Sequence, residues 1–441
     1  MANIQPFQGL RYNPSKFCDL SDVITAPYDR IHEAEQLRYY EQSAYNLVRI
    51  IQGRKTPDDS ATNNVYTRAT AYLHTWTAEE VLIRDPEPTL YVIEQRFTTP
   101  DGVAHLRRGL TAALELTSFE EGVVLPHEHT LEGPKIDRLN LTRATETSWG
   151  QIFMLYPDPQ ATVNTLLQPF LDAHMPAIVY DQVVEPEVEQ NFWVLNDPDV
   201  TAQVKEALRS IEPLIIADGH HRYETALKYQ AAMQEQNPEA GPDAAFNYVM
   251  VTLVSMDDPG LVILPTHRLI HSYSKMDGKA LLTALRTHFD IQEIPSLGEL
   301  QEALDKAVPE HPRFGLYDGN YHLLILKSGA IMSQLLPDRA DSFRTLDVTI
   351  LHELVLEKTM GLSKESVRNR ENIDYLRDPL PGLTAVDGGE ASFLFLLNPT
   401  RMSQVQTCTS AGERMPQKST DFFPKMVSGL VALPLSGTLK V

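Results

Sequence analysis

Residues 218–222 read Asp-Gly-His-His-Arg, which sets a carboxylate, a bare backbone position, two imidazoles and a guanidinium in succession. They follow a short apolar run, 214–217, that reads as a buried strand. They precede a helical pattern to about residue 235, with Tyr223, Ala226, Leu227 and Gln230 on one face. Strand, sharp turn and helix start make an anion site. The first N–H groups of a helix have no internal partner, and the macrodipole places about half a positive charge there. Cations in a first turn oppose that dipole, so His220, His221 and Arg222 cost the helix stability unless an anion is held beside them. Gly219 lets backbone approach a ligand closely. Arg222 can fork onto phosphate or carboxylate oxygens. Asp218 reads either as the helix N-cap or as a working carboxylate. The plain alternative is a capped helix with surface histidines and a solvated arginine.

Other residues of the right types lie elsewhere in the chain. Asp29 ends the turn Ala26-Pro27-Tyr28-Asp29 before a helix near 32–40, and it is either a general base or a helix cap, with Glu33 the weaker candidate. The loop 123–134 holds His127, Glu128, His129 and Glu132. His-x-His is a weak metal pattern that needs a third ligand, such as Asp218 or His220. The same groups suit contact with phosphate or a magnesium nucleotide, or an ordinary hydrogen-bonded loop. Lys135 and Arg138 open the next helix, within reach of an anionic substrate. His267 and Arg268 stand at a strand end, as part of a site or as an edge pair. Lys418, beside Ser419 and Thr420, is a phosphate contact or a solvated turn.

The run Ala217–Ala226 resembles the signature of a prokaryotic family, the domain of unknown function 1015. The resemblance extends over essentially the whole chain through residues 7–12, 26–29, 46–49, 126–130, 133–135, 264–268 and 415–420. More distantly, Gly219-His220-His221-Arg222-Tyr223 is similar to the Gly-Cys-His-Arg-Tyr loop of sulfiredoxins and to the phosphate loop of ParB-type proteins. Free-serine kinases of that superfamily carry a similar Asp-Gly-His-His-Arg loop. The resemblance implies a ParB/sulfiredoxin-like nucleotide-binding core. It places the Asp29 turn beside the phosphate loop. His220 stands where sulfiredoxin has its reactive cysteine, so sulfinic-acid reduction is excluded and phosphate chemistry remains.

The elements that must position these groups are α+β throughout. Residues 65–81 read as a helix whose stripe of Tyr66, Ala69, Tyr72, Leu73 and Trp76 is core. Residues 90–97 and 104–116 read as strands joined by the hairpin turn Thr99-Pro100-Asp101-Gly102. A strand is expected over 4–12 and another over 246–255, with 261–270 as the latter's partner. Further on, 314–326 reads as a hairpin turning at Asp318-Gly319, 345–358 and 401–411 as helices, and 391–397 as a strand. This gives a phosphate-binding core of 1–88 and 200–275, an inserted α+β segment of 89–199 and a C-terminal α+β domain of 276–441.

The 441 residues are 42% apolar and 22% charged, ordinary for a globular protein. A net charge of −21 disfavours a nucleic-acid partner. Cys18 and Cys408 form no disulfide framework or metal motif, which suits a reducing cytoplasm. No secretory signal is visible and no apolar run approaches the roughly 20 residues that span a bilayer. There is no Gly-x-x-x-x-Gly-Lys-Ser/Thr loop and no Gly-x-Ser-x-Gly elbow. The expectation is a cytoplasmic small-molecule kinase. It would use Mg²⁺ with ATP or ADP and phosphorylate a free hydroxyl, with L-serine first among acceptors. Asp29, Asp218, His221 and Arg222 would be catalytic. Gly219, His220, His221, Arg222 and Lys418 would hold phosphates, with the amides of His220 to Arg222 as the cradle, and Asp218 or Glu128 the metal. His127, Glu128, His129, Lys135, Arg138, His267 and Arg268 would face the substrate. Two other readings stand beside it: a nucleotide-sensing regulator without turnover, and a metal-dependent hydrolase using His127 and His129. The sequence leaves the oligomeric state open.

Overall fold

A computed structural model describes residues 1–17, 19–128, 132–181, 188–211, 213–308 and 311–439. The chain divides into two compact units, one of residues 1–126, 130–262 and 424–441, the other of residues 127–129 and 263–423. Both are α+β.

The first unit is built on a mixed sheet of nine strands among the described residues. They are β1 (Ile4–Gln5), β2 (Leu90–Thr98), β3 (Ala104–Glu115), β4 (Val124–Pro126), β5 (Ile152–Tyr156), β6 (Ile178–Asp181), β7 (Glu189–Leu195), β8 (Leu214–Asp218) and β9 (Tyr248–Ser255). The order is β4-β8-β5-β9-β3-β2-β7-β6, with β1 pairing β3. β8 runs parallel to β4 and antiparallel to β5, and β9 parallel to β5. Strands from 89–199 thus share one sheet with β8 and β9. The turn at Gly102, with φ of 83°, closes the β2–β3 hairpin where it was expected.

β9 is apolar on both faces and buried at every position, as a strand in mid-sheet must be. Side-chain alternation divides the core. Ile93 and Met250 pack on one side with Tyr12, Trp76 and Tyr229, while Val92 and Val251 pack on the other with Met154, Ile216 and Tyr223. Four helices matter for the site: α1 (Glu33–Gln42), α2 (Val65–Ala78), α3 (Glu132–Thr145) and α4 (His220–Gln236). The aromatic stripe of α2 is core, with Ala69 and Trp76 buried.

The second unit holds a six-stranded sheet in the order Phe289–Ile294, Tyr321–Leu326, Arg313–Tyr317, Ala391–Leu396, His267–His271, Ile373–Leu376, every pair antiparallel. Its hairpin turns at Asp318-Gly319, with Gly319 at φ 103°. The helix expected over 345–358 is Asp347–Ile350 continuing into a π-helical stretch, Leu351–Thr359.

Two strand expectations are corrected. The stretch 4–12 is two short strands, Ile4–Gln5 on the large sheet and Leu10–Tyr12 paired with Leu82–Arg84, because Pro6 has no N–H to continue a ladder. The stretch 261–270 does not pair with β9, whose two edges are filled by β3 and β5. Pro265 interrupts it, and His267–His271 joins the second unit's sheet.

Candidate functional site

The turn at 218–222 is shaped before any side chain acts. Ile216 faces Met154 and Asp218 faces Phe153, so Ala217 is an extra residue, a bulge in the strand's register. A bulge bends its strand and re-aims the chain beyond it. Gly219 then takes φ 97° and ψ 24°, a left-handed conformation that L side chains avoid. It is the N-cap of α4 and offers no side-chain cap. The N-cap reading of Asp218 is therefore corrected. Its Oδ2 lies 3.5 Å from Nη2 of Arg222, one helical turn on.

Arg222 is more deeply used than its sequence context implies. Its Nη1 donates to the carbonyl of Gln151 at the start of β5. A Cβ on Gly219 would lie 2.9 Å from its Nε, and a Cβ on Gly150 3.2 Å from its Nη1. Two glycines thus clear the space for one guanidinium, whose side chain is 13% exposed. Gly150 is a site residue that its sequence context does not mark. The arginine's own amide is also committed, donating to Gly219 O at 2.9 Å. The Arg222 amide is therefore not available to the phosphate cradle expected over His220 to Arg222.

His220 is buried and His221 half-buried. Burial lowers the His221 pKa below its ordinary 6.5; Glu224 and Asp29 oppose the shift and Lys135 and Arg222 add to it. His221 is thus neutral at pH 7 and does not oppose the helix dipole. The cost expected from three cations in the first turn is correspondingly smaller.

Asp29 lies in a 3₁₀ turn, Tyr28–Arg30, and is exposed. It does not cap α1, whose N-cap is His32 with Glu35 accepting from the His32 N–H at 2.9 Å. Its charge is felt by both His221 and Tyr28. Tyr28, not singled out from sequence, sits amid the group. Burial raises its pKa, with Arg222, Asp29, Arg138 and Asp218 the charges around it. The guanidinium of Arg138 stacks 4.1 Å over its ring and donates to Ile51 O at 2.8 Å. Lys135 is buried and pairs with Glu224 at 2.7 Å. A pocket of about 70 Å³ borders this cluster, walled by Tyr28, Arg138, Trp149, Gly150, Arg222 and Thr225. It runs along the flank of α4, and residues 218–221 are not part of its wall.

In the second unit the remaining candidates form their own group. His127 Nε2 lies 2.8 Å from Thr420 Oγ1, and Glu128 Oε1 accepts from the Ser419 amide at 3.2 Å. Arg268 is fully buried; Nη2 donates to Lys418 O at 2.9 Å, and its Nε has no partner among the described residues. Lys418 holds φ of 59°, unusual for a residue with a side chain. His267 is a core residue: its Nδ1 accepts from the Leu397 amide at 3.2 Å, and burial, then Arg268, lowers its pKa to about 4. His129 lies outside the described residues, as do Cys18 and the side chain of Glu132. Among the described residues no group of three His, Cys, Asp or Glu is placed to hold a metal ion, and no helix is long and apolar enough to cross a membrane.

A family model described as "Protein of unknown function (DUF1015)" matches residues 4–349. No curated protein matches the chain. Among solved structures, a free serine kinase variant in complex with AMP is 12% identical, covering 71% of this chain and 88% of that one with a TM-score of 0.36. A conserved hypothetical protein from Pyrococcus furiosus is 12% identical over 69% and 91%, with a TM-score of 0.33. SbnI from Staphylococcus aureus, truncated at its C-terminus, is 10% identical over 72% and 84%, also with 0.33. Likenesses this loose fix neither a ligand nor a reaction.

Proposed function

The chain belongs to the DUF1015 family, and we propose that it is a small-molecule kinase that moves a phosphoryl group from a nucleotide to a free hydroxyl at the 218–222 turn. The observation that carries this reading is the left-handed Gly219 opening α4 with an exposed carboxylate, Asp29, beside a neutral His221. The first amides of the helix would receive the phosphates. Phosphoryl transfer asks mainly for positioning and charge compensation. Arg222, fixed by Gln151 and Asp218, would supply the compensation from a rigid position. Asp29 would accept the proton of the attacking hydroxyl as the new O–P bond forms and the nucleotide's bridging bond breaks, worth about 10²–10⁴-fold in rate.

Mg²⁺ usually binds through one or two carboxylates together with substrate phosphates. Asp218 at the turn fits that sparse requirement, whereas Glu128 is occupied by Ser419 in the second unit. When bound, the ion would neutralise phosphate charge. ATP and ADP are the candidate donors, and L-serine is the first acceptor to try.

The test is to incubate the chain with Mg²⁺, ATP or ADP, and a panel of free amino acids and small alcohols, and to look for phosphorylated product by ³¹P NMR. Product from one acceptor, reduced at least about 10²-fold in Asp29→Asn, is expected. Nucleotide binding with no product from any acceptor would make the chain a sensor instead.

A further inference from the structure

A second pocket, of about 390 Å³, lies within the second unit, far larger than the one beside Arg222. Three chain segments wall it: residues 305–312 at and after the end of the helix Leu297–Asp305, residues 342–347, and residues 398–407 leading into and along the helix Met402–Ser410. The lining mixes polar side chains with Ala307, Val308, Pro312 and Pro399, and no aromatic residue belongs to it.

Its two opposed charges are not spent on each other. The carboxylate of Asp347 has no hydrogen bond or close ion pair among the described residues, and neither has the guanidinium of Arg401. Arg401 is still near enough to weigh on the charge of Asp347. The compensation is partial, since burial pushes the Asp347 carboxyl up to about 6. A half-buried carboxylate that is ionised at neutral pH and lacks a donor is costly. The buried hydroxyl of Ser342, also on the lining, has no partner among the described residues either. Nearby polar groups are already used: Thr345 Oγ1 donates to Asp341 O, Asn398 to Leu304 O, and Gln404 Oε1 accepts from the Arg401 amide. A half-buried carboxylate without a donor and an exposed guanidinium therefore line one space.

We propose that this pocket binds a free α-amino acid as its zwitterion, the ammonium against Asp347 and the carboxylate against Arg401. A ligand with both charges answers both groups at once, while a neutral sugar would meet no stacking surface and bring no cation to the half-buried Asp347 carboxylate. The bridge also accounts for the gap between Asp347 and Arg401, which is too wide for a direct ion pair. This site stands apart from the phosphoryl-transfer reading, and its test needs no turnover.

Isothermal titration of the whole chain against the common L-amino acids, without nucleotide, reads it directly. At least one amino acid binds, and its decarboxylated amine and its deaminated acid each bind at least tenfold more weakly. Asp347→Asn and Arg401→Gln each lower affinity at least tenfold or remove one equivalent of bound ligand. Ser403→Trp, an exposed position on the pocket wall, does the same by filling the space without touching either charge. An amine that binds as tightly as the amino acid would overturn the proposal, as would the absence of any amino-acid binding. Binding that is unchanged in Ser403→Trp would also overturn it.

Discussion

Gly219 and Arg222 are bound to each other by space as much as by charge. A side chain at 219 would face both a left-handed backbone at φ 97° and the Arg222 Nε 2.9 Å away. Gly219→Ala is expected to cost about 1–2 kcal/mol from the backbone alone, and thermal unfolding measures it. Nucleotide affinity should fall as well, because the guanidinium must move. Arg222→Ala removes a charged donor from Gln151 O, a contact worth roughly 1.5–3 kcal/mol. Arg222→Lys should not restore it, since an ammonium cannot fill the fork; equal melting temperatures for wild type and the lysine variant would contradict this. That Gly219 breaks the strand and Arg222 stands in the first turn of the helix was legible in the sequence, because a glycine between an apolar run and a helical pattern marks a turn. That Arg222 reaches back to Gln151 was not, nor that Gly150 makes room for it. Those depend on β5 lying beside β8, a pairing between residues far apart in the chain.

The strand, turn and helix β8–α4 arise from local pattern, and they form as the pattern predicts. What anchors them is less local. Tyr223, fully buried, donates from its hydroxyl to Thr117 O at 2.8 Å, tying α4 to the end of β3. Tyr223→Phe leaves that part-buried carbonyl without its donor, at about 0.5–1.5 kcal/mol. Denaturant unfolding should show the loss, with the midpoint lowered and the slope unchanged. A midpoint equal to wild type would mean that packing alone holds the helix. The misplaced stretch 261–270 teaches the converse. Its apolar content was read correctly as strand, but a strand's partner depends on which sheet edges are vacant, and composition does not record that. His127 meets Thr420 across 293 residues of chain and Glu128 meets Ser419 across 291, which no spacing rule reveals.

For the molecule as a whole, the second unit carries an acid sensitivity in its buried histidines. Burial lowers His267 to about 4 and His352 to about 3, so both stay neutral when folded. The unfolded chain takes up protons near the ordinary value of 6.5, while the folded one does not. Stability is therefore full above about 6.5 and falls as pH drops toward 4, each histidine costing up to about 1.4 kcal/mol for every pH unit below 6.5. Melting temperature measured from pH 7.5 to 5 should decline, and His267→Gln should flatten the decline. A slope unchanged by that substitution would assign the effect to other groups. The central claim, however, concerns the first unit: the amides that open α4 receive phosphate. Its most direct measurement is a titration of the ¹⁵N-histidine-labelled chain with Mg²⁺ and ADP or ATP, the amide signals assigned by substituting each histidine in turn. Shifts in the His220 and His221 amides that saturate together with nucleotide binding are the predicted result. Nucleotide that binds while both signals stay still, or that fails to bind, would contradict it.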